Sequence, residues 1–305
     1  MLKIRDDRQR ELLFGSAPKR VVSLVPSDTL TVAELGCEGS LVGRTDYCEL
    51  PENVVAKVPS IGGTKNPRLD DIADLSPDLV IANQEENTKS DLEKLAQRGI
   101  RVYIAFPMRV ADGIAHMARL ARIFKVDRDP KVRALCKEAY ENVREAEALR
   151  TEGHRRERAA LRTFCPIWMK PLMTIHGSTF ISDMLLLAGA DNVFADRERK
   201  YPLAADLGRG EPLDASATFG RDVRYPRVTM DEVEARAPEL ILLPDEPHPF
   251  SEEDADVFRA TKTPAAERGA VVRTGGKDLC WYGARSVTAL PRLRTLVDMH
   301  RPLSV

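Results

Sequence analysis

Val132, Leu135, Cys136, Ala139, Val143 and Ala146 recur at steps of three and four, an apolar stripe that predicts one long amphipathic helix. Glu138, Glu141, Arg144, Glu145, Glu147 and Arg150 cover its other side. Asp129 is placed to cap it, and Pro130 suits a first turn where a missing N–H costs nothing. Read from Pro130 to Glu152, the helix is roughly 34 Å long at about 1.5 Å per residue. Gly153 either ends it or weakens it by about 1 kcal/mol relative to Ala. Short apolar runs alternate with amphipathic ones on both sides. Before it, strands are predicted at 20–24, 41–43, 79–82 and 102–105. The helices there run from a cap at Asp28 or Thr29 to Leu35, from Leu69 to Leu75, over 90–97, and from Val110 to Phe124. After it come a strand at 163–168, a helix over 180–188 and a long polar loop at 196–225. A helix to Ala237, a strand at 240–243, a helix at 251–259, a strand at 271–273 and a closing helix over 290–300 follow.

Such alternation predicts an α/β fold. The expected architecture is two doubly wound, Rossmann-like lobes, 1–125 and 163–305, joined by one long backbone helix within 126–162. An internal echo supports two lobes of one design. Leu69-Asp70-Asp71-Ile72 through Pro77-Asp78-Leu79-Val80-Ile81 matches Met230-Asp231-Glu232-Val233 through Pro238-Glu239-Leu240-Ile241-Leu242, position by position. Pro67-Arg68 and Pro226-Arg227 precede the two copies. Ordinary punctuation of α/β units explains part of this; the matched acids favour an old duplication.

At 305 residues, with 43% hydrophobic and 30% charged positions, the chain is long enough for two buried cores. A net charge of −1 gives no general attraction to nucleic acid or anionic membrane. The opening MLKIRDDRQRELLF is charged and reads as no secretory signal, and no stretch is long enough to span a bilayer. Cys37, Cys48, Cys136, Cys165 and Cys280 are odd in number and lack paired spacing, which predicts free thiols in a reducing compartment. The cytoplasm is the direct expectation. A native start further upstream would change it to a periplasmic or membrane-anchored protein.

Several chemistries lack their residues. There is no GxGxxG after a strand, no GxxxxGK[ST], no HExxH, no zinc-spaced Cys/His pair and no GxSxG. No catalytic residue is assigned. Ser178, in HGSTF, reads as a helix N-cap before it reads as a nucleophile. Tyr47, Trp168, Trp281 and Tyr282 fall at strand ends or in loops, where open parallel sheets bind ligands, and their flat faces suit a large, partly apolar one. Ordinary packing is the equal alternative for each. His176 is a metal candidate set against a hydrogen-bonded loop histidine. Arg285 can clasp an anionic group or form a structural ion pair.

At these residues a resemblance becomes specific. VVSLVPSDTLTVAELG, GRTDYC with Pro51, and VPSIGGTKNPRLDDIADLSPDLVIA are similar to the N-terminal lobe of the vitamin B12- and siderophore-type substrate-binding proteins of ABC importers. WMKPLMTIHGSTFISDMLLLAGADNVFAD, YPRVTMDEVEARAPELILL and WYGARSVTAL resemble their second lobe. The likeness runs from about Arg20 to Val297. It implies a monomer that holds a metal chelate, a corrinoid such as cobalamin or a ferric siderophore-like complex, in the cleft between its lobes. No intrinsic cofactor is implied; cobalt or iron would arrive within the ligand. Tyr47 matches a cleft tyrosine of the cobalamin binder, and Asp70 and Asp231 match acids that dock onto the importer's membrane subunits. Two alternatives stay open: a cytosolic carrier or sensor of a corrinoid or metal complex on the same fold, and, behind both, an enzyme using His176 and Ser178.

Overall fold

Residues 1–155 and 160–302 are described by a computed structural model. The chain divides into two compact units, Met1–Glu141 with Trp281–Thr288, and Asn142–Cys280 with Ala289–Val305. The predicted helix is there as Pro130–Arg155, 26 residues that run through Gly153. Asp129 caps it: one carboxylate oxygen accepts from the amides of Lys131 at 2.8 Å and Val132 at 3.4 Å. The division between units falls inside this helix, after Glu141. Residues 156–159 of the predicted 126–162 connection lie outside the described residues. The first unit also takes Trp281–Thr288, which chain position alone assigns to the second.

The first unit opens with a hairpin, β1 (Leu2–Arg5) and β2 (Glu11–Phe14). No element was expected in this charged stretch. Period two explains it: Ile4, Leu12 and Phe14 turn inward, while Lys3 and Arg5 reach Glu11 across the strands. Then come β3 (Val21–Ser23), β4 (Leu41–Arg44), β5 (Leu79–Asn83) and β6 (Val102–Ala105), a parallel sheet in the order β4-β3-β5-β6. Every residue of β5 and β6 is buried, as a parallel sheet covered on both faces requires.

The second unit repeats the plan. Its strands are β7 (Leu161–Phe164), β8 (Pro166–Met169), β9 (Leu172–Thr174), β10 (Ala190–Asn192), β11 (Leu240–Pro244) and β12 (Val271–Thr274). β8 and β9 form an antiparallel hairpin, and the other four make a parallel sheet in the order β10-β7-β11-β12. Counted along the chain, both parallel sheets run 2-1-3-4. The single strand expected at 163–168 is two strands in two sheets, because Pro166 has no N–H with which to continue a ladder.

The sequence echo marks equivalent hardware in the two units. The helices Leu69–Asp74 and Met230–Ala235 each end in a non-glycine residue at positive φ, Ser76 at 45° and Ala237 at 44°, directly before proline. The next acid clamps the neighbouring strand. Asp78 accepts the amide of Arg20 at 3.1 Å, and Glu239 accepts that of Arg162 at 3.0 Å. The same two arginines turn back onto the carbonyls of Leu75 and Arg236, which are equivalent positions of the echo. The first acids, Asp70 and Asp231, are exposed; the second, Asp71 and Glu232, are tied to Arg68 and Arg197.

Three further elements differ from expectation. The helix Pro26–Glu34 starts on Pro26 without a side-chain cap, and Asp28 and Thr29 are fully buried instead. The closing helix begins at Ala284 and carries Pro291 within it. The 196–225 stretch contains two short helical turns, Leu203–Asp206 and Ala215–Thr218, around a buried Asp206.

Candidate functional site

In the first unit, the carboxyl ends of the strands gather the groups that chemistry can use. Tyr47 follows β4 by three residues and is 61% exposed, its ring beside Gly63 of the SIGGTKNP loop. Asn83 ends β5, and its side-chain oxygen accepts from the amide of Glu85 at 2.7 Å. Asn87 pins the loop by donating to the carbonyls of Leu24 at 3.2 Å and Thr64 at 3.0 Å.

Beneath this edge lies a buried polar chain that the sequence reading did not find. Both oxygens of Asp28 are used: Oδ1 accepts from His116 Nε2 at 2.5 Å and Oδ2 from the Tyr282 hydroxyl at 2.8 Å. Asn83 Nδ2 donates to the same hydroxyl at 3.1 Å. A carboxylate only accepts, so His116 carries a proton on Nε2. Its Nδ1 faces the Tyr103 hydroxyl at 3.4 Å, which accepts from Arg119 Nε at 2.8 Å, and Arg119 in turn pairs with Asp7 at 2.8 Å. The signal was faint. His116 lies three residues after Gly113 and four before Leu120, on the buried side of its helix, whereas Asp28 looked like a cap.

Trp281 and Tyr282, expected to face a ligand, are 6% and 5% exposed. Tyr282 is spent on the Asp28 network. The next two residues seat the segment: the amide of Ala284 donates to Thr31 Oγ1 at 3.1 Å, and Gly283 sits at φ 74° against the same hydroxyl. Arg285 is half-buried at the start of its helix.

Burial, reinforced by the Asp28 charge, raises the Tyr282 pKa well above its ordinary value of 10.0, and burial raises that of Tyr103. In the second unit, burial alone pushes the Cys165 thiol up to about 12. A raised folded-state pKa gives stability that is whole below the unfolded pKa and is lost as pH climbs toward the folded one. Stability to urea should therefore fall above pH ~9–10, by about 1.4 kcal/mol per pH unit for each such group once its unfolded form ionises. Tyr282→Phe should flatten the fall; a wild-type curve that stays level to pH ~11 would refute the assignment.

In the second unit, Trp168 stands in the β8–β9 hairpin, 43% exposed, with Nε1 donating to the Lys170 carbonyl at 3.2 Å. His248, which the sequence reading passed over, stacks at a tilt beside it with ring centroids 5.3 Å apart and meets Asp254 at 3.3 Å. His176 is half-buried, and its Nδ1 accepts the Ser178 amide at 3.0 Å and lies 2.7 Å from the Ser178 hydroxyl. That lone pair is the one a general base or an Nδ1 metal ligand would need. The neutral ring then keeps its proton on Nε2, which closes that nitrogen to a metal. No group of three or more His, Cys, Asp or Glu able to hold a metal ion occurs among the described residues. Ser178 does not cap the next helix; Thr179 does, its hydroxyl accepting from the amide of Ser182.

Comparison with known proteins gives these units a family. The model of the periplasmic binding protein family matches residues 21–276. A vitamin B12-binding protein from Yersinia pestis (strain Pestoides F) is 25% identical over 231 residues, 76% of this chain and 71% of that protein. The crystal structure of the periplasmic vitamin B12 binding protein of Vibrio cholerae has a TM-score of 0.70 at 19% identity, covering 94% of this chain and 99% of that one. The apo periplasmic heme-binding protein of Roseiflexus sp. RS-1 reaches 0.72 at 18%, covering 94% and 100%. The chain belongs to the periplasmic binding protein family, and the resemblance read from its sequence is borne out.

Proposed function

We propose that this member of the periplasmic binding protein family captures a metal chelate, a corrinoid or an iron complex of the heme or siderophore kind, and hands it to an ABC importer. The family match over residues 21–276 carries this reading. The relatives add weight, since their names attach them to vitamin B12 and heme. Two exposed aromatic side chains fit it as well. Tyr47 stands just beyond the carboxyl end of the parallel strand β4, and Trp168 stands on β8, the strand that follows β7; each offers an open ring face to an apolar ligand. His176 and Arg285 are the polar groups proposed to orient it, with Trp281 and Tyr282 anchoring the segment that presents Arg285. Asp70 and Asp231 are proposed to dock onto cationic groups of the membrane subunits. Both side chains are exposed, Asp70 beside Arg98 at 2.8 Å.

The chain has two tryptophans, and burial separates them. A ligand near Trp168 should quench its emission saturably, and Trp168→Phe should abolish that quench while leaving the buried Trp281 signal. At 100 times its dissociation constant the ligand should stabilise the fold by about 2.7 kcal/mol. Cobalamin, cobinamide, heme, a ferric catecholate and a ferric hydroxamate form the panel. Silence from all five, in fluorescence and in melting temperature, would overturn the reading. Function outside the cytoplasmic membrane follows from it, and recovery of the native protein in the cytosol would favour the carrier or sensor alternative.

A further inference from the structure

The polar stretch from Asp196 to Val228 is held down firmly. Arg199 N donates to the Val223 carbonyl at 2.7 Å, and the Tyr201 hydroxyl to that of Asp222 at 2.7 Å. Thr174 N and His176 N donate to the carbonyls of Pro226 at 3.0 Å and Arg224 at 2.8 Å. The backbone around its arginines is therefore fixed, and two of them, with Arg236 at the end of the following helix, are closely paired. Arg197 pairs with Glu232 at 2.9 Å and Asp206 at 3.1 Å, Arg224 grips Asp222 with both arms at 2.9 and 2.6 Å, and Arg236 meets Asp196 at 2.6 Å.

Arg199 and Arg227 are different. The Nε of each is buried without a hydrogen-bond partner among the described residues, as is Nη1 of Arg224, but neither Arg199 nor Arg227 has the close carboxylate that Arg224 has in Asp222. Arg199 has no carboxylate within ion-pairing distance among those residues; its guanidinium lies over the Tyr201 ring at 4.6 Å, where Arg221 also lies at 5.0 Å. Arg227 faces Asp206 Oδ2 only at 3.8 Å, and that oxygen already accepts the Arg227 amide at 2.8 Å. Burial first, and then the charge of Arg199, hold the Arg227 pKa below its usual value. The buried Asp206 carboxylate accepts the amides of Lys200 at 2.9 Å and Arg227 at 2.8 Å, which roots Arg199 and Arg227 around one side chain and sets two unsatisfied donors and two repelling cations near each other. Each feature costs free energy unless an acceptor with negative charge is present.

We infer that Arg199 and Arg227, beside Tyr201, form an oxyanion site in the second unit that takes a carboxylate or phosphate group of a small ligand. The planar guanidinium fork matches both groups, and one anion answers both the orphaned donors and the repulsion. Tyr201 gives the Arg199 guanidinium a flat surface that keeps it in place.

The test is calorimetric titration of the full chain with sodium phosphate and, separately, sodium citrate at low ionic strength, with sodium chloride as control. Saturable binding of one of them is expected, weakened at least tenfold in the Arg199→Gln/Arg227→Gln double variant. Arg209→Gln, an exposed arginine of the same stretch, should leave binding unchanged. Arg227→Lys keeps the charge but loses the fork and should fall between. The better anion names the group. The same anion should raise the melting temperature of the wild type and not that of the double variant. No saturable binding of either anion, or binding that the double variant retains in full, overturns the site. The anions are offered without any metal complex, so this failure and failure of the chelate reading are separable.

Discussion

Asp28→Ala should cost about 2–6 kcal/mol of unfolding free energy, since it leaves two buried donors unsatisfied at about 1–3 kcal/mol each. The reason lies in what is left behind. Asp28 is fully buried, and its two oxygens are the acceptors for His116 Nε2 and the Tyr282 hydroxyl. Alanine leaves both donors in the buried interior without the acceptor they have now. Urea denaturation followed by circular dichroism measures the loss. A drop below about 1 kcal/mol would mean that the network is ornamental. Asp28→Asn should cost less than Asp28→Ala, since an amide oxygen still accepts one of the two hydrogen bonds.

Gly283→Ala should cost about 2–5 kcal/mol, adding the left-handed backbone to an overpacked contact. Gly283 sits at φ 74°, and a Cβ there would fall inside contact distance of Thr31 Oγ1, the acceptor for the Ala284 amide. Relief requires the segment Trp281–Thr288 to lift from the first unit, with Tyr282 and its bond to Asp28. Amide hydrogen exchange should therefore show faster exchange across this segment and across Pro26–Glu34, with β11 and β12 unchanged. Uniform protection in the variant would refute this. Thr31→Ala should not rescue it fully, because the positive φ remains.

Much of the architecture was legible beforehand. The stripe of Val132, Ala139, Val143 and Ala146 predicts its helix because period 3.6 is a local property, and all four are buried. β5 and β11 were readable as continuous apolar runs, and the echo around them correctly foretold a shared strand order. Local chemistry also marked Asp129 as a cap. Other local readings met competitors that the sequence does not display. Asp28 was a plausible cap until its helix used Pro26 as a start. Pro166 split a strand that looked continuous, and the first hairpin hid behind its charges.

Of the candidate site, residue types were legible and surroundings were not. Tyr47 and Trp168 are exposed, whereas Trp281 and Tyr282, which the same reasoning singles out, are buried. What the chain determines by itself is periodicity, punctuation and the repetition of a helix–Pro–strand unit, because these depend on neighbours within a few residues. What only the tertiary structure decided is the partnering of polar groups far apart in sequence: Asp28 with His116 and Tyr282, Arg119 with Asp7, Trp168 with His248. Burial and charge complementarity act between surfaces brought together by folding, and no local pattern records which surfaces those are.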